Sequence, residues 1–119
     1  RIVDYKTGLV RQGELEVVDW EAITTDYKYS KALQVLSYAL MLNDENPITK
    51  GTAGIISFKN LGSGFLPFAT KPSPRSQQKD FLITQEVLQS FTQELNKLIF
   101  EICDPNIPFT EKEIDSYAY

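Results

Sequence analysis

The run RIVDYKTG at the start of the chain sets Asp4 and Lys6 two residues apart. In an extended strand, side chains at i and i+2 share a face, so a carboxylate and an ammonium would stand side by side while Val3 and Tyr5 face the opposite way. An aspartate oxygen is a hard ligand suited to Mg²⁺ or Mn²⁺. A lysine beside it can orient a water or neutralise charge developing on a phosphoryl group. The backbone carbonyl of Tyr5, at the same strand end, is a second candidate metal oxygen. The competing reading is a solvated ion pair at a sheet edge, worth about 0–1 kcal/mol, and the D-x-K spacing alone does not separate the two.

A second pair lies in KYSKALQVLSYALMLN. On a helix Gln34 and Tyr38 are i and i+4 and project from one face, with Lys31 one turn earlier. The surrounding residues are so apolar that the helix reads as largely buried, and a buried amide without a partner costs about 1–3 kcal/mol. Gln34 therefore needs a specific partner, either backbone in an ordinary core or a functional group. Other candidates have blander alternatives. Glu14, Glu16, Asp19 and Glu21 either approach a metal or form a solvated loop. Lys71, Arg75 and Lys79 either touch phosphates or solubilise their loop. Trp20 reads as core or docking surface, and Cys103 as a half-buried residue at a helix end.

These side chains need a scaffold, and the pattern predicts one of mixed α and β type. Residues 2–6 read as a strand closed by Thr7-Gly8. Leu9 to Thr25 reads as a loop with one short strand or helical turn near Leu15 to Ile23. A helix follows over about Lys28 to Asn43, with Ser30 as N-cap and Asn43 with Pro47 as the stop. TAGIISFKN and GFLPFAT, joined by Leu61-Gly62-Ser63, read as a hairpin whose second strand, containing Pro67, lies at an edge or ends early. The polar stretch KPSPRSQQKD reads as a mobile loop. Phe81 to Ile83 is a possible short strand before a helix from about Gln85 to Ile102, capped by Thr84, with Glu86 in its first turn. Leu88, Phe91, Leu95, Leu98 and Ile102 form its core stripe, and Asp104-Pro105 ends it.

Composition narrows the chemistry. The 119 residues are one domain's worth of chain, and the sequence contains no histidine and one cysteine. That excludes histidine acid–base chemistry, Ser-His and Cys-His nucleophiles, His-ligated zinc, and an intramolecular disulfide. A single cysteine fits a reducing, cytoplasmic setting, and no apolar run approaches the ~18 residues that span a bilayer. The net charge of −4 argues against a free-standing nucleic-acid binder, because such binding draws on clustered Lys and Arg. A metal or a neighbouring domain would offset that acidity.

Taken together, IVDYKTG followed by a helix bearing QVLSYAL resembles the PD-(D/E)XK nuclease superfamily, and within it the RecB/AddB-like branch. There a D-Y-K-T/S-G strand is the third nuclease motif and a Q-x-x-x-Y helix follows it. The order of strand, variable loop, helix, hairpin and long helix is similar, as is a PF segment matched by Pro108-Phe109. The resemblance covers most of the chain. It implies an α/β (α+β) fold with a mixed central sheet flanked by helices, a restriction-endonuclease-like core incomplete at the N-terminus, and residues 1–119 as the C-terminal portion of one nuclease domain. Asp4 would then be a metal ligand with the Tyr5 carbonyl, Lys6 the catalytic lysine, and Gln34, Tyr38 and Lys31 substrate-contacting. The implied activity is Mg²⁺- or Mn²⁺-dependent hydrolysis of DNA phosphodiesters within a helicase-nuclease or DNA-repair exonuclease. The implied partners are DNA and an upstream helicase or nuclease segment, with no membrane. The family's earlier acidic motifs normally precede D-Y-K, whereas only Arg1-Ile2-Val3 does so here, so they lie upstream or the fragment is catalytically incomplete. Many relatives end in a cysteine cluster that binds iron and sulfur; IDSYAY has no cysteine, so no iron–sulfur cluster is expected. The alternatives are an inactive nuclease-fold module for DNA binding or assembly, and an unrelated α/β interaction domain.

Overall fold

A computed structural model describes residues 1–106. The expectations for Pro108-Phe109 and the IDSYAY tail lie outside them. The elements in order are β1 (Ile2–Lys6), a 3₁₀ turn (Gln12–Leu15), β2 (Glu16–Val17), α1 (Ala22–Thr25), a second 3₁₀ turn (Tyr27–Tyr29), α2 (Ser30–Glu45), β3 (Ala53–Ser57), a third 3₁₀ turn (Leu61–Ser63), β4 (Phe65–Pro67), β5 (Ala69–Thr70) and α3 (Gln85–Cys103). The fold is mixed α and β. One sheet has the order β1-β3-β4, parallel between β1 and β3 and antiparallel between β3 and β4.

Parallel neighbours need a long crossover, and α2 supplies it, lying on the sheet face to which Ala53, Ile55 and Ser57 point. Their register partners on β1 are Ile2, Asp4 and Lys6, so the two charged residues face the helix side. The core under α2 joins Val35, Leu36 and Ala39 to Ile55, Leu66, Phe68, Leu88 and Phe91, all buried. Gly54 sits where β3 and β4 come closest: a Cβ there would meet the Leu66 carbonyl oxygen at 2.1 Å.

Several local expectations change. Ser30 is the first residue of α2 and not its cap; the preceding 3₁₀ turn is capped instead by Asp26, whose Oδ1 accepts from the Lys28 N–H at 3.0 Å. Asn43 does not end α2, which runs to Glu45, but its Oδ1 accepts from the Ile48 N–H at 2.8 Å and turns the chain toward β3. Nor is α2 buried all round. Met41 is 68% and Leu42 47% exposed, because one sheet face and α3 cover only one side of the cylinder. In α3 the stripe holds for Leu88 and Phe91, while Ile102 and the terminal Cys103 are exposed where the helix runs past the core. Thr84 caps α3 as expected, accepting from the Val87 N–H.

The GELEV segment adds a second, two-stranded sheet in which β2 pairs parallel to β5, a pairing that two-residue strands do not announce. Phe81 to Ile83 forms no strand; only Ile83 is buried, through an isolated bridge to Gly51.

The loop expected to be mobile is tied at its base. Thr70 and Asp80 exchange backbone hydrogen bonds at 2.9 Å, and the Glu16 carboxylate takes Lys71 on one oxygen and Lys79 on the other. Burial pushes the Glu16 carboxyl up, but the hydrogen bond and charge of Lys79, with hydrogen bonds from Gln12 and Lys71, outweigh it and hold the group below its ordinary value of 4.5. A carboxylate with a depressed pKa stabilises the fold above its unfolded-state pKa and loses that contribution as pH falls through the native value. Glu16→Gln should therefore lower stability at neutral pH by roughly 1–3 kcal/mol. The gap to wild type in urea midpoint should narrow as the pH drops below about 4.5. A constant gap from pH 7 to pH 3 would exclude a charged clamp.

Candidate functional site

The β1–α2 junction gathers part of the expected set. Lys6 Nζ donates to Gln34 Oε1 at 2.5 Å and stands 3.2 Å from Asp4 Oδ2. The convergence follows from topology: α2 returns antiparallel to β1, so its first turns lie over the C-terminal end of that strand. Gln34 itself is exposed, which corrects the expectation of a buried amide; it has the partner that expectation demanded, at the rim of the site.

The Asp4 side chain is only 17% exposed, lying opposite the buried Ile55 in the sheet register. Its Oδ2 is enclosed and lies 3.2 Å from the Lys6 ammonium, without the alignment of a hydrogen bond. The carboxylate is near the ammonium without being satisfied by it, and a buried oxygen of this kind retains its capacity to accept.

The Tyr5 carbonyl is placed by the β ladder. Ile2 N–H bonds the Thr52 oxygen and Phe58 N–H bonds the Lys6 oxygen, so the alternation assigns Ile2, Asp4 and Lys6 to the β3 side. Val3 and Tyr5 direct their backbone groups to the other edge of β1, which no described strand covers.

Beside the Lys6 ammonium is a recess of about 160 Å³, lined by Lys6, Gly8, Tyr27, Ser30, Lys31 and Gln34 among others. Gly8 is held by the Ser57 hydroxyl, which donates to its carbonyl oxygen at 2.6 Å. Lys31 faces the recess with its charge engaged, Nζ lying 3.2 Å from Glu14 Oε1. Tyr38 lies one turn beyond Gln34, but it is 44% exposed and lines no part of the recess.

Compared with protein-family models, with curated proteins and with solved structures, the chain matches none.

Function must therefore be argued from the geometry. The acidic stretch does not converge on a metal: Glu14 pairs with Lys31, Glu16 with two lysines, and Asp19 accepts from the Glu21 N–H at 3.1 Å. Among the described residues no three Asp, Glu, His or Cys side chains cluster in a way that could hold a metal. What stands at β1 is one enclosed carboxylate oxygen and one edge carbonyl. Mg²⁺ keeps several waters and takes as few as one or two carboxylates along with substrate phosphate oxygens, and Asp4 alone is the least such a site could have. Trp20 belongs with the core, its ring 6.2 Å from Phe68. Of the loop cations, Lys71 and Lys79 are taken up by Glu16. Sequence reasoning missed Glu14 as the counter-ion of Lys31 and Glu16 as that of Lys71 and Lys79, because both pairings join residues distant in sequence. No helix among the described residues is long and apolar enough to cross a membrane.

Proposed function

We propose that this chain is part of a restriction-endonuclease-like, RecB-type nuclease domain that hydrolyses DNA phosphodiesters with Mg²⁺ or Mn²⁺. The observation that carries the reading is the meeting of Lys6, Asp4 and Gln34 at one end of β1. The D-Y-K strand and the Q-x-x-x-Y helix thereby contribute to one place, although they are 28 residues apart between Lys6 and Gln34. A divalent ion held by Asp4 Oδ2 and the Tyr5 carbonyl would polarise a phosphoryl oxygen and activate a water. Lys6 holds an ammonium where the phosphate would bear its developing charge, and Gln34 fixes the direction of that ammonium. The resemblance implies further acidic ligands from motifs that precede D-Y-K, and a helicase or repair partner.

The test is Asp4→Asn, in a polypeptide that includes the region encoded upstream. Mg²⁺-dependent cleavage of a labelled oligonucleotide should fall below detection while the circular-dichroism spectrum is unchanged. Cleavage at the wild-type rate would refute the assignment. A second reading, a nuclease-fold module for DNA binding or assembly without turnover, is favoured by the lack of a three-ligand cluster among the described residues. Mn²⁺ titration separates the two, since the inactive module should show no binding that depends on Asp4.

A further inference from the structure

The recess beside Lys6 is balanced in charge. The charged side chains that line it are Lys6 and Lys31, and each ammonium already has a carboxylate at 3.2 Å, Asp4 for Lys6 and Glu14 for Lys31. Two cations facing two anions leave no net attraction for a further anion, in a protein of net charge −4. The two carboxylates are held differently. Asp4 is built into β1, whereas Glu14 stands on the 3₁₀ turn over Gln12–Leu15. That turn is anchored by Val10 and Leu15, both fully buried, and the second oxygen of Glu14 accepts from the Arg11 N–H at 2.8 Å. If Lys31 leaves, Glu14 therefore keeps a hydrogen-bond donor and the water that reaches its 23%-exposed side chain. Parting the pair strands no buried charge on the Glu14 side, so the contact can open and close.

We propose that Glu14 is a resident counter-anion that restrains binding at the recess: it occupies Lys31 in place of a phosphate, and a nucleic-acid strand gains that lysine only by displacing it. This rests on the nuclease reading for the identity of the incoming anion and names how binding at that site is regulated. Glu14 acts through Lys31 and is a positioning residue, not a catalytic one. Two anions drawn to one ammonium stand roughly 4 Å apart, where repulsion between unit charges in bulk water corresponds to about fivefold in affinity. An ion pair that only holds the fold predicts the opposite sign, because losing Glu14 would leave Lys31, 16% exposed, without its anchor and weaken whatever binds beside it.

The test is fluorescence anisotropy on the full chain in EDTA, using a labelled single strand of roughly 20 nucleotides and the blunt duplex made from it, a length that spans several phosphates. Glu14→Gln keeps an acceptor for the Arg11 N–H and removes the charge. It should tighten the better-bound oligomer by roughly 3- to 10-fold. It should also steepen the fall of log affinity with log salt by about 0.7 for a single strand or 0.9 for a duplex, the mark of one more phosphate neutralised. Glu14→Ala, which gives up the Arg11 contact as well, should shift both readings in the same direction. In a Lys31→Met background the Glu14→Gln change should leave the salt slope unaltered, since no ammonium is there to release. Glu14 variants that bind no tighter than wild type, an unchanged slope, the same steepening without Lys31, or no binding of either oligomer by wild type and Glu14→Gln would each overturn the proposal. If Glu14→Gln has no effect while Asp4→Asn still abolishes cleavage, the nuclease reading stands and the restraint falls. If Asp4→Asn cleaves normally while Glu14→Gln tightens binding through Lys31, the nuclease reading fails and the restraint stands.

Discussion

Lys6→Met is expected to reduce the single-turnover rate of Mg²⁺-dependent DNA cleavage by on the order of 10²–10³-fold, the usual consequence of deleting one group aimed at developing charge. Methionine keeps the aliphatic stem that packs beside α2 and removes only the ammonium. The stability cost should stay within about 1 kcal/mol, the range of a partly exposed ion pair, so the melting temperature separates lost chemistry from lost fold. The ammonium is held by two contacts, 2.5 Å to Gln34 Oε1 and 3.2 Å to Asp4 Oδ2. On the proposed nuclease reading it would be positioned before substrate arrives, and its electrostatic effect would require no reorganisation during the reaction. Measuring the variant at saturating protein, with the upstream segment present, reports the chemical step. A rate within tenfold of wild type would return Lys6 and Asp4 to the ordinary ion pair that D-x-K spacing equally allows.

The largest stability effect is expected at Phe68. Its side chain is fully buried, and its N–H donates to the Ala53 oxygen at 2.7 Å, so it follows β4 directly and leads into β5. The ring sits where the three-stranded sheet meets the smaller β2-β5 sheet, 6.2 Å from Trp20. Phe68→Ala removes that contact and leaves a cavity between the two sheets, a change that costs about 3–5 kcal/mol. Against a total of roughly 5–15 kcal/mol, the urea midpoint should fall by about a fifth or more at unchanged slope, with Tm lowered by roughly 10–25 °C. A change below about 1 kcal/mol would show that the two sheets do not share one core.

The two long helices and the hairpin were legible because each rests on a local rule. The Thr84 cap and the Leu88–Phe91 repeat mark α3 wherever it packs, and Leu61-Gly62-Ser63 marks the turn before β4. What was not legible came from contacts distant in sequence. The β2-β5 sheet pairs residues 53 apart, Glu16 with Ala69 and Val17 with Thr70, and two-residue strands carry no period. The loop over residues 71–79 reads as free by composition, yet its base is closed by Glu16 from far upstream. α2 reads as wholly buried because apolar residues surround it, but a sheet can cover only one side of a helix.

The sequence by itself determined that Asp4 and Lys6 share one face of a strand, that Gln34 and Tyr38 share one face of a helix, and that histidine chemistry and a disulfide within this chain are excluded. Strand and helix geometry dictate the first two and composition the last. Only the tertiary structure decided that Lys6 meets Gln34 while Lys31 is drawn off to Glu14, that Tyr38 stands outside the recess, and that Tyr5 and Phe58 stack in the open. Each of these depends on the crossover that lays α2 antiparallel on β1 and pairs β1 with β3. Local periodicity says which way a side chain points from its own element, and the long-range pairing decides what it meets there.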